Sequence, residues 1–368
     1  MKKLRFPKPA ADQKAYNETM QKGFKAFPKR FENFQKHQRA MRGAKLDYMP
    51  IKIDIENVSR CNLNCDMCQI SAFSNRKRAE DLSFVDFKRI LDEQIGVYEL
   101  KLQGIGEPFL QDDFIEMVRY ATSKNIWVRT TTNATLLHKN DIYKKIIDVL
   151  VGEIQFSIDG ATKETYERIR RGAHFEQVVE NCKLINSYCR LQGVDKTRMW
   201  VLLQKDNFHE LHLFPAIAKE LGFKRLTISM DVSVWGSEQW AQKNEEKKIS
   251  DRLAQSDVDS LLEDARNLGI DLSFWDISTK YSKDNICPWP FERAFISSDK
   301  KVVPCCMIGN PDICNIGALG SFESVWNSED YQSFRNAHLA GAIPKVCIYC
   351  YEQSQLNNKE VCAKENKI

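Results

Sequence analysis

Cys61, Cys65 and Cys68 stand at a C-x3-C-x2-C spacing within Cys61-Asn-Leu-Asn-Cys65-Asp-Met-Cys68. Thiolate is the usual ligand of iron–sulfur clusters, so three thiols on one short loop can hold three irons of a cubic [4Fe–4S] cluster. A fourth thiol is missing locally, and one iron would stay open for another molecule. A zinc knuckle or a disulfide pair is the alternative, although zinc sites prefer paired C-x2-C units and four ligands. A second set lies far down the chain, at Cys287, Cys305-Cys306, Cys314 and Cys347-Ile-Tyr-Cys350, with Cys362 beyond it. A lone C-x2-C there also fits a zinc ribbon. Cys182 and Cys189 lie two helical turns apart and read as core positions.

These thiols need elements to hold them. Residues 51–58 alternate apolar and polar and read as a strand, so the first three thiols sit on the loop leaving it. A βα alternation follows, with strands expected at 97–103, 126–131, 153–158, 199–204 and 225–230. Helices are expected at 83–95, 113–124, 141–148, 163–169, 175–191 and 209–221. Six strands alternating with helices argue for a parallel α/β sheet, whose sites lie at the carboxyl ends of the strands. Residues 235–256 break the pattern, and the charge run Ala241-Gln-Lys-Asn-Glu-Glu-Lys-Lys248 reads as a solvated linker or helix face. A helix from about Ser256 to Leu268 is capped by Gly269, and a short strand follows at 271–274. Near the second cysteine set, segments 294–298 and 301–304 flank a turn and predict a hairpin. Residues 322–339 read as a helix with Trp326 and Phe334 on its inner side.

The chain has 368 residues and 43% hydrophobic content, enough for one large domain with an appendage. No apolar run of transmembrane length exists, and the N-terminus lacks the apolar core of a signal peptide. Twelve cysteines in a chain without a secretion signal read as metal ligands and reduced thiols rather than disulfides, which fits a cytoplasmic location. Net charge is +4, but residues 1–45 carry 13 Lys and Arg against three acidic residues. Within this arm Tyr16, Met20, Phe24, Phe27, Phe31 and Phe34 recur at helical spacing, with an interruption at Pro28. The stripe is expected to pack on the body of the protein. The basic face could alternatively receive an acidic partner, an anionic substrate or a membrane surface. No nucleic-acid partner is expected.

The C-x3-C-x2-C loop after a first strand resembles the signature of radical S-adenosylmethionine (SAM) enzymes. The resemblance implies that S-adenosylmethionine chelates the open iron and is cleaved to a 5′-deoxyadenosyl radical. Met67 stands where that family usually has an aromatic residue beside the adenine. Gly104-Ile-Gly106-Glu107-Pro108 resembles the family's GGEP segment, which contacts the methionine amino group; glycine permits close backbone approach and a carboxylate suits an ammonium. Thr132-Asn133-Ala134 resembles TNG with Ala for Gly, and Asn133 would serve the ligand or orient the loop. Ser157-Ile-Asp159-Gly160 resembles the SIDG element, making Ser157 and Asp159 candidates for the ribose hydroxyls or methionine carboxylate. Arg170 or Arg171 could neutralise that carboxylate. The second cysteine set resembles the SPASM/twitch appendage of the same superfamily, with Cys287, Cys305, Cys347 and Cys350 as ligands of an auxiliary [4Fe–4S] cluster. Asp299-Lys300-Lys301 replace the family's glycine-containing turn. The resemblance's two-cluster form continues with closely spaced cysteines after the C-x2-C; here the next is Cys362, eleven residues intervening, which favours the shorter form with one auxiliary cluster. Cys306, Cys314 and Cys362 are then expected as free thiols, with Cys306 the alternative to Cys305.

The resemblance implies a partial (β/α)6 TIM barrel with a C-terminal SPASM/twitch-like domain. Boundaries are expected at 1–48 for the basic arm, 49–235 for the barrel, 236–284 for a linker with a helix and 285–368 for the auxiliary-cluster domain. It implies two [4Fe–4S] clusters, S-adenosylmethionine and an electron donor of flavodoxin or ferredoxin type. The expected reaction is hydrogen abstraction from a substrate C–H with an electron passed to the auxiliary cluster, as in oxidation of a sugar or aminocyclitol alcohol. Asp231, after the sixth strand, is the candidate base. Peptide modification and epimerisation of a sugar or cyclitol are the alternatives.

Overall fold

The computed structural model describes residues 4–249, 253–277, 280–352 and 362. Two helices come first, α1 (Gln13–Ala26) and α2 (Pro28–Arg39). Asp12 caps α1 by accepting the Ala15 N–H, and Pro28 occupies the start of α2, where its missing N–H has no partner to lose. The interruption therefore falls at the proline.

The body alternates strands and helices: β1 (Lys52–Ile55), α3 (Phe84–Glu93), β2 (Glu99–Leu102), α4 (Phe114–Ser123), β3 (Trp127–Thr132), α5 (Ile142–Asp148) and β4 (Glu153–Ser157). Next come α6 (Lys163–Ile169), α7 (Phe175–Leu191), β5 (Thr197–Leu202), α8 (Phe214–Glu220) and β6 (Arg225–Ser229). Each strand pairs parallel with the one before it. Then follow α9 (Glu238–Glu245), α10 (Gln255–Leu268), β7 (Asp271–Trp275), α11 (Trp289–Glu292), β8 (Arg293–Ile296), β9 (Lys301–Val303), β10 (Gly317–Ala318), α12 (Phe322–Trp326) and α13 (Glu329–Leu339).

The six strands read from the sequence are the middle of a larger sheet. Among the described residues it has ten strands in the order β10-β9-β8-β1-β2-β3-β4-β5-β6-β7. Strand β7 adds parallel to β6, and β8 adds parallel to β1. The appendage hairpin is thus continuous with the barrel sheet. Helix 322–339 is broken in two because Ser328 starts α13 by accepting the Tyr331 N–H; Trp326 and Phe334 are both buried.

Strand alternation decides which side chains face the interior. Ile53, Ile55, Leu100, Leu102, Val128, Ile154 and Phe156 are fully buried in the core, each contributing about 1.5–3 kcal/mol by burial. Lys101, Gln103, Arg129, Thr131, Gln155, Ser157 and Trp200 are half-buried on the opposite face, where the partial barrel has its lumen. Ion pairs close the lower end. Glu99 meets Arg129 at 3.0 Å and Arg293 at 2.9 Å, and Glu153 meets Arg225 at 2.7 Å and Arg198 at 3.2 Å. Burial opposes ionisation of Glu99, but the surrounding cations hold its carboxyl well below the usual range.

The basic arm seals this end. Tyr16 donates its hydroxyl to Glu99 at 2.8 Å and packs edge-on against Trp127. Phe24, Tyr98 and Ile51 form a small apolar cluster with Tyr16, Met20 and Phe34. The lysines of the arm, such as Lys14, Lys22, Lys25 and Lys29, stay exposed. No helix of the described residues is long and apolar enough to cross a membrane.

Two expectations change. The charge run at 241–248 is not merely solvated: Trp240, Ala241 and Asn244 in α9 are buried. Cys314 and Cys362 are not free thiols but a disulfide. Sequence separation hid this pairing, because the two cysteines are 48 positions apart.

Candidate active site

The loop carrying Cys61, Cys65 and Cys68 is held by side chains from several strand ends. Glu107 is the centre of this bracing. Its carboxylate accepts the Thr132 hydroxyl at 2.7 Å, the Asn133 N–H at 2.7 Å and the Phe109 N–H at 3.4 Å. Burial pushes its carboxyl up to about 7 against these donors. The Asn133 side chain then reaches the loop, donating to Asn62 Oδ1 at 2.9 Å and approaching Cys61 Sγ at 3.9 Å. Asn62 donates in turn to the Thr135 hydroxyl at 2.8 Å. Ala134, in the position of the expected glycine, adopts φ +64°, the left-handed region that glycine occupies without strain.

The glycines before Glu107 have a different reason from the one expected. A Cβ on Gly104 would lie 2.1 Å from the Glu56 side chain, and one on Gly106 would lie 2.3 Å from the Arg60 carbonyl. The close approach is to the strand β1 segment and its loop. Glu56 uses that approach: it accepts the Ile105 N–H at 2.9 Å, the Ser298 N–H at 3.1 Å and Arg78 at 3.1 Å. Arg78 also meets Asp299 at 2.7 Å. One buried carboxylate thus ties β1, the end of β2 and the appendage hairpin together. Burial raises its pKa, and Arg78 and the two backbone N–H groups pull it back.

Asp159 and Arg170 pair with each other. Asp159 Oδ2 receives Arg170 at 2.7 and 2.6 Å, and Oδ1 accepts the Leu202 N–H at 2.8 Å. Asp159 is fully buried, and these contacts fix Arg170 and β5. Arg170 faces Cys65, whose thiol burial raises and the guanidinium lowers. Arg171 is exposed; its carbonyl accepts the Asn64 N–H at 2.9 Å. Met67 is buried, and its carbonyl accepts from Asn244 of α9 at 3.2 Å. Ser157 stands half-buried on the lumen face of β4. Burial, followed by Glu107, pushes the Cys61 thiol up to about 12; burial and Cys65 push Cys68 up to about 11. Such thiols bind as thiolates only when a cation replaces their protons.

Asp231, the expected base, accepts the Ile277 N–H through Oδ2 and so anchors the segment after β7. Lys280 lies close to that segment, its charge disfavoured by burial and favoured by Cys287, Cys350 and Asp231. It stacks 4.5 Å from the Trp275 ring and 5.5 Å from Tyr281.

The second set assembles beside a small apolar cluster. Cys287, Cys347 and Cys350 pack on Tyr281, Ile343 and Tyr351. Cys305 interacts with Cys287, and Cys306 with Cys305. Cys306 itself faces Lys101, Asp54 and Arg293 on the lumen side. Lys300, in the hairpin turn, has φ +62°, which explains why glycine suits that position.

Among the described residues no three His, Cys, Asp or Glu side chains converge as ligands of one ion. A cubane takes its thiolates on separate irons, and both sets are made of thiols without His, Asp or Glu, which suits a cluster. The donor chemistry at both places therefore fits [4Fe–4S] groups. Sequence reasoning did not single out Glu56, Arg78, Asn62 or Asn244. Glu56 stands at a polar position of the alternating segment 51–58, so the sequence carried no mark of its full burial.

A model of the radical SAM superfamily matches residues 57–213. The chain carries a radical SAM domain. An iron–sulfur cluster-binding domain of SPASM type matches residues 287–351. The chain is similar to the PqqA peptide cyclase of Rhodopseudomonas palustris, 26% identical over 314 residues, covering 82% of this chain and 79% of that one. It is also similar to the mycofactocin maturase MftC of Mycolicibacterium smegmatis, 27% identical over 193 residues, covering 52% of this chain and 47% of that one. Among solved structures, Streptococcus suis SuiB bound to its precursor peptide SuiA superposes with a TM-score of 0.57 at 18% identity, covering 83% of this chain and 69% of that one. That last likeness concerns the fold. This radical SAM enzyme takes S-adenosylmethionine and two iron–sulfur clusters.

Proposed function

We propose that this enzyme modifies a peptide. The observation that carries the reading is the similarity to a PqqA peptide cyclase over 82% of the chain, far more than the barrel alone. The mycofactocin maturase supports it, being a maturase by name. Neither name contains a sugar or cyclitol, so peptide modification takes precedence over alcohol oxidation and epimerisation.

In this reading Cys61, Cys65 and Cys68 hold the cluster that works with S-adenosylmethionine, and Cys287, Cys305, Cys347 and Cys350 hold the auxiliary one. When bound, these groups supply a strong hydrogen-atom abstractor and a nearby electron acceptor. The chain's own residues aim and shelter them. Glu107 and Asn133 fix the rim on which S-adenosylmethionine rests, Ser157 offers a hydroxyl from β4, and Gly104, Gly106 and Met67 shape the wall. Asp159 holds Arg170 against Cys65. The ion-paired lower end excludes water from below. The substrate then meets a lumen with Lys101 and Arg129 on one side and the Trp200–Trp275 pair, 6.3 Å apart, on the other. Asp231 is the candidate base, and its Oδ2 also accepts the Ile277 N–H. An electron donor of flavodoxin or ferredoxin type in the cytoplasm completes the proposal.

The test is anaerobic turnover of the reconstituted enzyme with S-adenosylmethionine, a reductant and candidate peptides, including short peptides encoded beside its gene. A peptide of altered mass formed together with 5′-deoxyadenosine is expected. A sugar or cyclitol product two mass units lighter, with every peptide unchanged, would overturn the reading.

A further inference from the structure

The auxiliary cysteines are surrounded by tyrosines whose placement is more specific than packing requires. Tyr281 and Tyr351 form an isolated parallel bridge, with Tyr281 N donating to the Cys350 carbonyl at 3.0 Å and Glu352 N donating to the Tyr281 carbonyl at 3.0 Å. Their rings lie 5.7 Å apart. The bridge stitches the segment before Cys287 to the segment carrying Cys350.

Both tyrosines address Cys287. The Cys287 N–H donates to the Tyr351 hydroxyl oxygen at 2.8 Å. That hydroxyl is also 2.8 Å from His338 Nδ1. With its oxygen accepting from Cys287, the Tyr351 hydroxyl has its proton available for His338 Nδ1, and we assign Nδ1 as the acceptor. His338 is buried, and burial pushes it down to about 4, so the imidazole is neutral as this assignment needs. Its Nε2 is buried without a hydrogen-bond partner among the described residues. On the other side, Cys287 packs against Tyr281, whose hydroxyl is directed at the Cys287 sulfur.

We infer that Tyr281 and Tyr351, with Tyr351 locked by His338, are positioning residues that clamp Cys287 by its sulfur and its backbone and thereby set the reduction potential of the auxiliary cluster. The inference rests on Cys287 being a ligand of that cluster. Its physical basis is general: hydrogen bonds to cluster sulfurs stabilise the reduced, more negative state, and groups behind a ligand fix its orientation. A residue that only filled space would leave the potential unmoved.

The experiment uses the full chain, reconstituted anaerobically in a Cys61→Ala, Cys65→Ala, Cys68→Ala background so that the auxiliary cluster is observed alone. Iron is counted, and the one-electron couple is titrated by electron paramagnetic resonance. Tyr281→Phe keeps the ring and loses the O–H donor; the expected result is an unchanged iron count with the potential shifted to more negative values. Tyr351→Phe is expected to change the g-values. His338→Asn, which keeps an acceptor near the Nδ1 position, should preserve the parent signal, whereas His338→Phe should not. Unchanged potential in Tyr281→Phe and unchanged g-values in Tyr351→Phe, at full iron content, would overturn the clamp. Cys287→Ala separates the two claims: iron retained in that variant removes the ligand assignment itself, and iron lost leaves the clamp to stand or fall on the tyrosine variants.

Discussion

The two cysteine sets are held by different chemistry. Around Cys61, Cys65 and Cys68 the supports are polar: Glu107, Asn133, Asn62, Arg170 and Asn244, drawn from several strand ends and from α9. Around Cys287, Cys347 and Cys350 the contact surface is largely apolar, made by Tyr281, Tyr351 and Ile343. A three-thiol loop that leaves a coordination place open must also present a polar rim to a zwitterionic ligand, and hydrogen bonds preorganise that rim. A four-thiol site is closed by its own ligands and needs orientation and a low dielectric. Glu56 joins the two regions, because it ties the first loop's strand to the appendage hairpin.

The comparison can be broken at that joint. Glu56→Ala would leave the N–H groups of Ile105 and Ser298 without their acceptor and Arg78 with Asp299 alone. Removing one partner of a buried ion pair costs about 3–5 kcal/mol, and the further orphaned donors put this variant near the upper end. Chemical denaturation should show the loss, and both clusters should be lost together. If only one cluster were affected, the two regions would be independent. Asp159→Asn is narrower. It leaves Arg170 underpaired beside Cys65 and should destabilise by about 3–4 kcal/mol. Iron analysis should find loss confined to the first cluster, and equal loss from both would erase the distinction drawn here.

Glu107 gives a pH dependence. Its folded pKa of about 7 lies above the ordinary carboxyl value of 4.5 because burial disfavours the charged form. Its contribution is therefore fully present below about pH 4.5 and is lost as pH rises through 7. The difference is on the order of 3 kcal/mol. In the cluster-free protein, Glu107→Gln should flatten the stability–pH curve between these values; a curve unchanged from wild type would show that Glu107 ionises freely in the fold.

Much of this was legible in the sequence, and the reasons differ by region. The cysteine spacings and the βα alternation are local patterns, so the barrel, both thiol sets and the arm's break at Pro28 could be read directly. The hairpin was legible, but its fusion to β1 through β8 was not, since parallel pairing between residues 52 and 293 leaves no local mark. The polar motif residues were visible, yet their partners were not. The pairing of Asp159 with Arg170 left no mark in the sequence. Gly104 and Gly106 suggested a ligand's approach, whereas the neighbour is the chain itself. The Cys314–Cys362 disulfide contradicted a compositional argument about reduced thiols, which speaks of averages rather than of one pair.

The smallest effect concerns the hairpin turn. Lys300 holds φ +62°, and a non-glycine residue in that region is strained by roughly 1–2 kcal/mol. Lys300→Gly relieves the strain, loses an exposed ion pair with Asp86 worth little, and gains unfolded-state entropy that opposes the benefit. The net is a stabilisation of about 1 kcal/mol or less, visible as a small rise in the urea midpoint. A fall would mean that the Asp86 contact governs the turn.

The central claim is that the first thiol loop alone works with S-adenosylmethionine while the second set stands apart from cleavage. Its most direct measurement is 5′-deoxyadenosine formation and iron content in the reconstituted Cys61→Ala, Cys65→Ala, Cys68→Ala protein. The account predicts about four irons per chain, half of the wild-type complement of two cubic clusters, and no 5′-deoxyadenosine. Cleavage of S-adenosylmethionine by that variant would contradict it.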